Sequence, residues 1–474
     1  MAVGAGVAAV TLPPVLVGAG LVLIAGLTHP ALMLIITLIV APLKTLIETE
    51  ARLSLDLGQI GVGVTFALVG GYWAAVYSKR SRQAWTPQDF LIPACLLVIV
   101  ITGGLSLWSA VSPSHTVSEL IKWIEIIGIA TLVAVLCDSK EKRYPYLPIL
   151  FGILTAGGVQ ALIGLYQFFG GSGAAHLWIL DNRFFRAFGT YGQPNPFGAM
   201  MELTLCIAVG ATLGIGLEWG VKVWRERRFT PPHPLGLFLS LVAFTGLLAA
   251  GLVASWSRGA WIGFGAALAV MILFAPLQRR IGVGLVVGGG MLFIALAITG
   301  LLPSSLVARL SDFATDLTGF EEVRGAIISN ERYAVLERLA HWQAAFGMMN
   351  DHPLTGVGLG NYEVVYPRYA LMNWKFALGH AHNYYLNALA ETGVIGLAGY
   401  LVGWGGIGLL TLRILPRLTG LDRGVALGVL GMQAALATHS LFDKLYVNNL
   451  FLQIGAILGL MVTLRRLTAQ RGIQ

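Results

Sequence analysis

The sequence predicts an all-α polytopic membrane protein of about twelve transmembrane helices, and three observations predict it. Charged residues make up 11% of the chain and apolar ones 56%, where a soluble globular protein carries about 25% charge. Mean hydropathy is +0.76. Apolar runs of some 20 residues recur along all 474 positions, each long enough to cross the roughly 30 Å hydrocarbon layer as a helix. A soluble enzyme, a secreted disulfide scaffold and a disordered chain are excluded.

The runs fall at 6–27, 30–46, 58–78, 89–110, 117–137, 145–169, 195–217, 234–254, 259–276, 281–302, 384–412, 424–442 and 447–464. The first two are separate helices or one element broken around Pro30, so the count is twelve or thirteen. No Lys or Arg precedes Lys44, so the basic start of a cleavable signal peptide is missing and the first run is expected to stay as a membrane helix. Residues 1–302 read as an N-terminal helical region and 384–474 as a C-terminal one. Between the tenth and eleventh major runs, 303–383 form one large loop, of a length that usually carries function.

The net charge is +8, from 31 Lys and Arg against 23 Asp and Glu. Loop by loop the excess finds a place: Lys79, Arg80, Arg82, Lys140, Lys142, Arg143, Lys222, Arg225, Arg227, Arg228, Arg279, Arg280, Arg413, Arg417, Arg423, Arg465, Arg466 and Arg471 all fall on loops of one parity. The positive-inside rule puts those loops and the C-terminus in the cytoplasm, so the excess calls for no nucleic acid. Cys95, Cys137 and Cys206 read as small buried residues, and no Cys/His spacing marks a metal or redox centre. Gly356-Val357-Gly358-Leu359-Gly360 reads as a tight turn, because the strand and acidic residue of a dinucleotide fingerprint are missing.

Arginines on the opposite, external face run against the topological bias and need a reason. Arg183 and Arg186 sit in the loop at 170–194, and Arg258 sits in the short turn Ser255-Trp256-Ser257-Arg258-Gly259. Ser257 is expected to cap the following helix, and Gln193-Pro194-Asn195-Pro196 to place an Asn cap before Pro at the first helical position. Two helix N-termini with arginines make an anion site suited to phosphate; lipid headgroups or loop carboxylates are the competing partners. After the large loop comes His380-Ala381-His382-Asn383-Tyr384-Tyr385-Leu386-Asn387, then Glu391-Thr392-Gly393-Val394-Ile395-Gly396. As a helix this sets Asn383, Asn387 and Glu391 near one face, a polar stripe that belongs against the bundle or a wet cavity. His382 stands at its outer end as a titratable group or a hydrogen-bonded structural one.

His382-Asn383, nine residues, then Gly393-x-x-Gly396 resembles the His-[Asn/Ser/Gln]-x9-Gly-x-x-Gly signature of the O-antigen ligase and polymerase superfamily. Ser255-Trp256-Ser257-Arg258-Gly259 resembles its SxSRG segment, and Arg186-Ala187-Phe188-Gly189-Thr190 with Gln193-Pro194-Asn195-Pro196 its RxxGT and NPN segment. Arg338, Trp342 and His352-Pro353-Leu354-Thr355-Gly356-Val357-Gly358 resemble a stretch of its large external loop. The blocks span about 180 to 400, while the first 170 residues match in hydropathy alone. The resemblance implies a GT-C-like glycosyltransferase of the bacterial cytoplasmic (inner) membrane, multi-pass, with its active site facing the periplasm or exterior. Such enzymes move a glycan from an undecaprenyl-diphosphate carrier to an acceptor hydroxyl on a lipid, glycan or protein, without metal, cofactor or nucleotide sugar, and with inversion. It further implies Arg186 and Arg258 on the diphosphate and His382 as the base, and its loop block supports Arg338 at the substrate; Arg183, Asn383, Glu391 and Glu202 are expected around the substrate from their positions in the chain.

Glu202 is expected to orient Arg186 or Arg258, and His439 and Asp443 to touch the site or each other. Glu119, Lys122 and Glu125 are expected to pair along one helix. The alternative function is an anion or inorganic-carbon transporter; against it, the chemistry-bearing residues gather on one face rather than at the midplane.

Overall fold

The computed structural model describes residues 29–52, 54, 56–76, 85–138, 143–170, 175–227, 234–303, 307, 323 and 333–470. The expected span 6–27 lies outside the described residues, as do most of 304–332 and the basic residues Lys79, Arg80, Arg82, Lys140, Lys142, Arg228 and Arg471. The apolar runs within the described residues are helical, because backbone N–H and C=O groups in hydrocarbon must pair within their own segment. In chain order the helices are α1 (Pro30–Val40), α2 (Leu57–Val76), α3 (Leu91–Gly104), α4 (Pro113–Leu136), α5 (Leu147–Gly170), α6 (Pro194–Glu226), α7 (Leu235–Ala254), α8 (Arg258–Phe274), α9 (Arg279–Ile298), α10 (Tyr333–Asp351), α11 (Tyr362–Tyr369), α12 (Tyr384–Ile414), α13 (Gly420–His439) and α14 (Leu450–Gln470). Between α5 and α6 a two-residue hairpin pairs β1 (Trp178–Ile179) with β2 (Phe184–Phe185).

Among the described residues eight helices are long and apolar enough to cross a membrane, and α2 and α8 add shorter apolar segments. They occupy very different places. The apolar window of α14 is 94% buried and that of α9 only 6%. Thus α14 is the central post and α9 offers Val283, Met291, Phe293, Ile298 and their neighbours to lipid. A helix that is apolar all round fits either place.

Small residues set the closest contact. Gly210 and Gly214 of α6 face Gly420, Gly424 and Gly428 of α13, and a methyl on Gly210 would strike the Gly424 carbonyl. Such four-residue spacing brings backbones together where lipid supplies no hydrophobic drive. Charged groups inside the bundle are paired: Lys122 holds Glu119 at 2.6 Å, Lys444 reaches the same carboxylate at 3.5 Å, and Glu125 accepts from Gln59.

The ends of the helices that carry the site are tied to one another. Ala187 N–H donates to Ala254 O, Tyr384 N–H to Ser440 O and the Asn448 amide to Tyr191 O. This gathers the ends of α5, α7 and α13 with the starts of α6, α8, α12 and α14. Arg279, Arg280, Arg413, Arg417, Arg423, Arg465 and Arg466 lie at the opposite helix ends. Residues 333–383 build their own small apolar clusters, one around Tyr362, Tyr366 and Met348 and one around Leu336 and Trp374.

Candidate active site

The loop bearing Arg186 is held by two glutamines of α5. Gln167 accepts from Phe188 N–H at 3.0 Å and Gly189 N–H at 2.8 Å and donates back to Gly189 O. Gln160 accepts from Thr190 N–H at 3.0 Å. Gly189 turns with φ +55° where a Cβ would meet Gln160 Oε1 and Phe197, so the turn needs glycine. The loop is thereby laid on the α7–α8 turn, and half-buried Arg186 donates through Nε to Ser255 O at 3.4 Å.

That turn continues into α8 at Arg258, its first helical residue. Trp256 takes φ +51° to make it, which costs a non-glycine residue about 1 kcal/mol. The two caps expected from sequence do not form. Helix α6 begins two residues earlier, at Pro194, and neither Gln193 nor Ser257 caps with its side chain. Ser257 Oγ instead donates to Asn195 Oδ1 at 3.0 Å, and Asn195 Nδ2 donates to Asp443 Oδ2 at 2.8 Å. The side chains that would close each helix separately join them instead, leaving two positive N-terminal ends side by side with Arg258.

The line continues to the histidines. Asp443 Oδ1 lies 3.2 Å from His380 Nε2, and His380 Nδ1 accepts the backbone N–H of His382 at 3.0 Å. That acceptor role leaves the proton of neutral His380 on Nε2, pointing at Asp443. His382 itself sits at φ +51°, a strained position held by its neighbours. Its ring packs against those of His380, with centroids 4.5 Å apart, and His341, 5.7 Å. Burial, then His380 and Arg338, push the His382 imidazolium down to about 3; burial, Lys444 and His341 push His380 down to about 3. Both rings are therefore neutral at ordinary pH, and His382 is able to accept a proton.

Helix α12 explains the glycine signature. Gly393 breaks the helix with φ 62° and ψ −167°, a conformation almost confined to glycine. The break frees backbone groups that need partners inside a bundle. The stretch 353–358 supplies them: Val394 N–H donates to Pro353 O at 2.9 Å, Val357 N–H to Ala390 O at 3.0 Å and Gly358 N–H to Glu391 O at 2.9 Å. A Cβ on Gly393 would strike the Leu354 carbonyl, and one on Gly356 the Glu391 backbone. Two motifs some 35 residues apart are thus one contact.

The predicted residues fall into three groups. His382, Arg338, Arg258 and Arg186 come to one end of the bundle, Arg338 close enough to act on His382 electrostatically. Arg183 is exposed at the hairpin tip, its N–H on Ile179 and Leu180. Asn383, Asn387 and Glu391 hold backbone: Asn383 caps α12 through Tyr385 and Leu386 N–H, Asn387 accepts from Ala381 N–H and buried Glu391 from Tyr362 N–H. Buried Glu202 pairs with His439 Nδ1 at 2.6 Å, while its other oxygen has no hydrogen-bond partner among the described residues. It does not hydrogen-bond either arginine, because α13 places His439 between α6 and Gly259 of α8.

Sequence reasoning gave no role to His380, His341 or Asn195 as a link, and left Asp443 open. The His-x-His spacing at 380–382 was the available signal. The fold also brings His380, His382 and Asp443 donor atoms within 4.8 Å of one another, a set capable of holding a metal that no sequence spacing marked. Both Asp443 oxygens are already used, on His380 and Lys444 N–H and on Asn195, so the cluster is complete as a hydrogen-bonded relay.

Residues 243–401 match the O-Antigen ligase family. The match runs from α7 into α12 and takes in Arg258, Arg338, His382 and Gly393; Arg186, Asn195 and Asp443 lie outside it and are joined to it by the contacts above. No curated protein matches the chain. A family of glycosyl transfer weighs against the transporter alternative. Over residues 243–401, about a third of its length, this helical membrane protein is similar to the O-antigen ligase and polymerase superfamily.

Proposed function

We propose that the protein is a metal-independent, inverting glycosyltransferase that moves a glycan from an undecaprenyl-diphosphate carrier to an acceptor hydroxyl outside the cytoplasmic membrane. Helices α2, α4, α8 and α13 join the eight long apolar ones to make twelve crossings in a GT-C-like arrangement. The basic helix ends lie in the cytoplasm and residues 303–383 form the external loop. The observation that carries the reading is the hydrogen-bonded line Ser257–Asn195–Asp443–His380–His382, which couples the arginine turn to the candidate base.

In this mechanism Arg186, Arg258 and the N-termini of α6 and α8 receive the donor diphosphate. Neutral His382 takes the acceptor proton as the hydroxyl oxygen attacks the anomeric carbon. The bond from that carbon to the diphosphate oxygen breaks, and the oxygen leaves with the bonding pair. Fixed guanidiniums neutralise this charge without reorganising. Attack opposite the leaving group inverts the anomeric centre. Arg338 flanks the base, Arg183 reaches toward the glycan from the hairpin tip, and Asn383, Glu391 and Glu202 act on the frame.

The test uses the purified full chain in liposomes with an undecaprenyl-diphosphate-linked glycan and a hydroxyl acceptor. The expected outcome is a glycosylated acceptor and released lipid diphosphate. His382→Ala is expected to abolish transfer while the membrane-inserted amount stays unchanged; full transfer by that variant would remove the proposed base.

A further inference from the structure

Helix α12 leads from the histidine cluster, through its break at Gly393, to the far end of the bundle. There its last turn, the C-terminal turns of α14 and the start of α3 line a cavity of about 580 Å³. Arg413, Arg417 and Arg465 line it, with the buried side chains of Leu410 and Ile414. Arg413 and Arg417 are close enough to Arg465 to repel it. The carboxylate that also lines the cavity, Asp89, is shared: its Oδ2 receives Arg466 at 2.9 Å and Thr86 N–H at 2.8 Å, and it also attracts Arg465. The contrast between neighbours is sharp. Arg466 holds Asp89 and Asp138 and lies over the Trp85 ring at 4.1 Å. Arg465 Nε is shut off from solvent and has no hydrogen-bond partner among the described residues.

Three guanidiniums line the cavity against one carboxylate that Arg466 shares, and the excess of positive charge calls for a counter-anion. Guanidinium forks match phosphate oxygens, and Leu410 and Ile414 add apolar contact beside them. We infer that this cavity is a binding site for a phosphate-bearing anion, one membrane thickness away from the candidate active site. Phosphate esters reach it from two sources, the headgroup of an anionic lipid in the adjoining leaflet or a soluble phosphate. Basic pockets between helices on the basic side of a membrane protein take the former.

The experiment measures binding to the full chain in detergent micelles doped with phosphatidylglycerol, cardiolipin or zwitterionic phosphatidylcholine, by native mass spectrometry and thermal unfolding. Saturable, stabilising binding of the anionic lipids but not of phosphatidylcholine is expected. The Arg413→Gln/Arg417→Gln variant changes two exposed side chains and is expected to weaken binding about tenfold or more. Arg465→Lys keeps the charge, loses the Nε donor and is expected to fall between. Exposed Arg280→Gln, on the same basic end, is expected to bind like the unaltered chain. Displacement of lipid by millimolar inorganic phosphate supports the site and names soluble phosphate as its occupant; retention supports it and names the lipid. Equal binding by the double variant, equal weakening by Arg280→Gln, or binding of neither probe overturns the inference.

Discussion

The two ends of the helix bundle use arginine differently. At one end Arg186 and Arg258 sit beside the starts of α6 and α8, and the polar groups around them form a continuous line to His382 through Ser257, Asn195, Asp443 and His380. The backbone is strained at Trp256 and His382. At the other end Arg466 is satisfied by Asp89, Asp138 and Trp85, while Arg413, Arg417 and Arg465 face one another across a cavity. What separates an arginine organised for reaction from one organised for binding or anchoring is the set of groups that fixes its surroundings.

Breaking the outer line gives the largest effects after loss of His382 itself. Arg258→Ala and Arg186→Ala are each expected to cut kcat by about 10²–10³-fold, the scale of removing one donor to a developing anion. Lysine at either position restores part of the rate, because it keeps the charge without the bidentate fork; full rescue by lysine would reduce these residues to charge alone. Asp443→Asn sets an amide N–H against a neighbouring donor and is expected to cost about 10²-fold in kcat with KM little changed, the scale of a small misplacement of a catalytic group. A change confined to KM would make Asp443 a binding group instead.

Subtler measurements sharpen the same contrast. His382 is held neutral from the ordinary 6.5 down to about 3, so kcat/KM is expected to stay flat from pH 8 to about pH 5, with its acid limb below. Stability has the sign of a depressed group: unaffected above 6.5, it is lost as pH falls from 6.5 toward about 3, where the unfolded chain takes up protons that the fold refuses. A limb near 6.5 would show His382 to be solvated. Smallest of all, EDTA is expected to leave transfer unchanged; activity lost to the chelator and restored by zinc would turn the His380–His382–Asp443 relay into a metal site.

The hydropathy pattern made the helices legible, and the runs from 30 onward reappear as helices near their expected bounds. The blocks around Arg186, Arg258 and His382 were legible as local strings. The roles of Asn195 and Ser257 were misread as caps, because a cap is a local prediction and their partners arrive from other helices. The polar stripe Asn383–Asn387–Glu391 was read as lying against the bundle or a wet cavity; it packs inward and holds the backbone of residues 360–386, partners that no spacing along one helix reveals.

By itself, the sequence determined that this protein lives in a membrane, which ends carry the basic residues and which family its centre resembles. Those properties follow from solvation free energies and short motifs that act residue by residue. Tertiary structure decided that α14 is core and α9 faces lipid, that Gly393 and Pro353-Leu354-Thr355-Gly356 are halves of one contact, and that Asp443 joins the two arms of the site. Each depends on which apolar surfaces and backbone groups meet across the bundle, and an environment with no water to satisfy polar groups makes every such pairing a property of the whole fold.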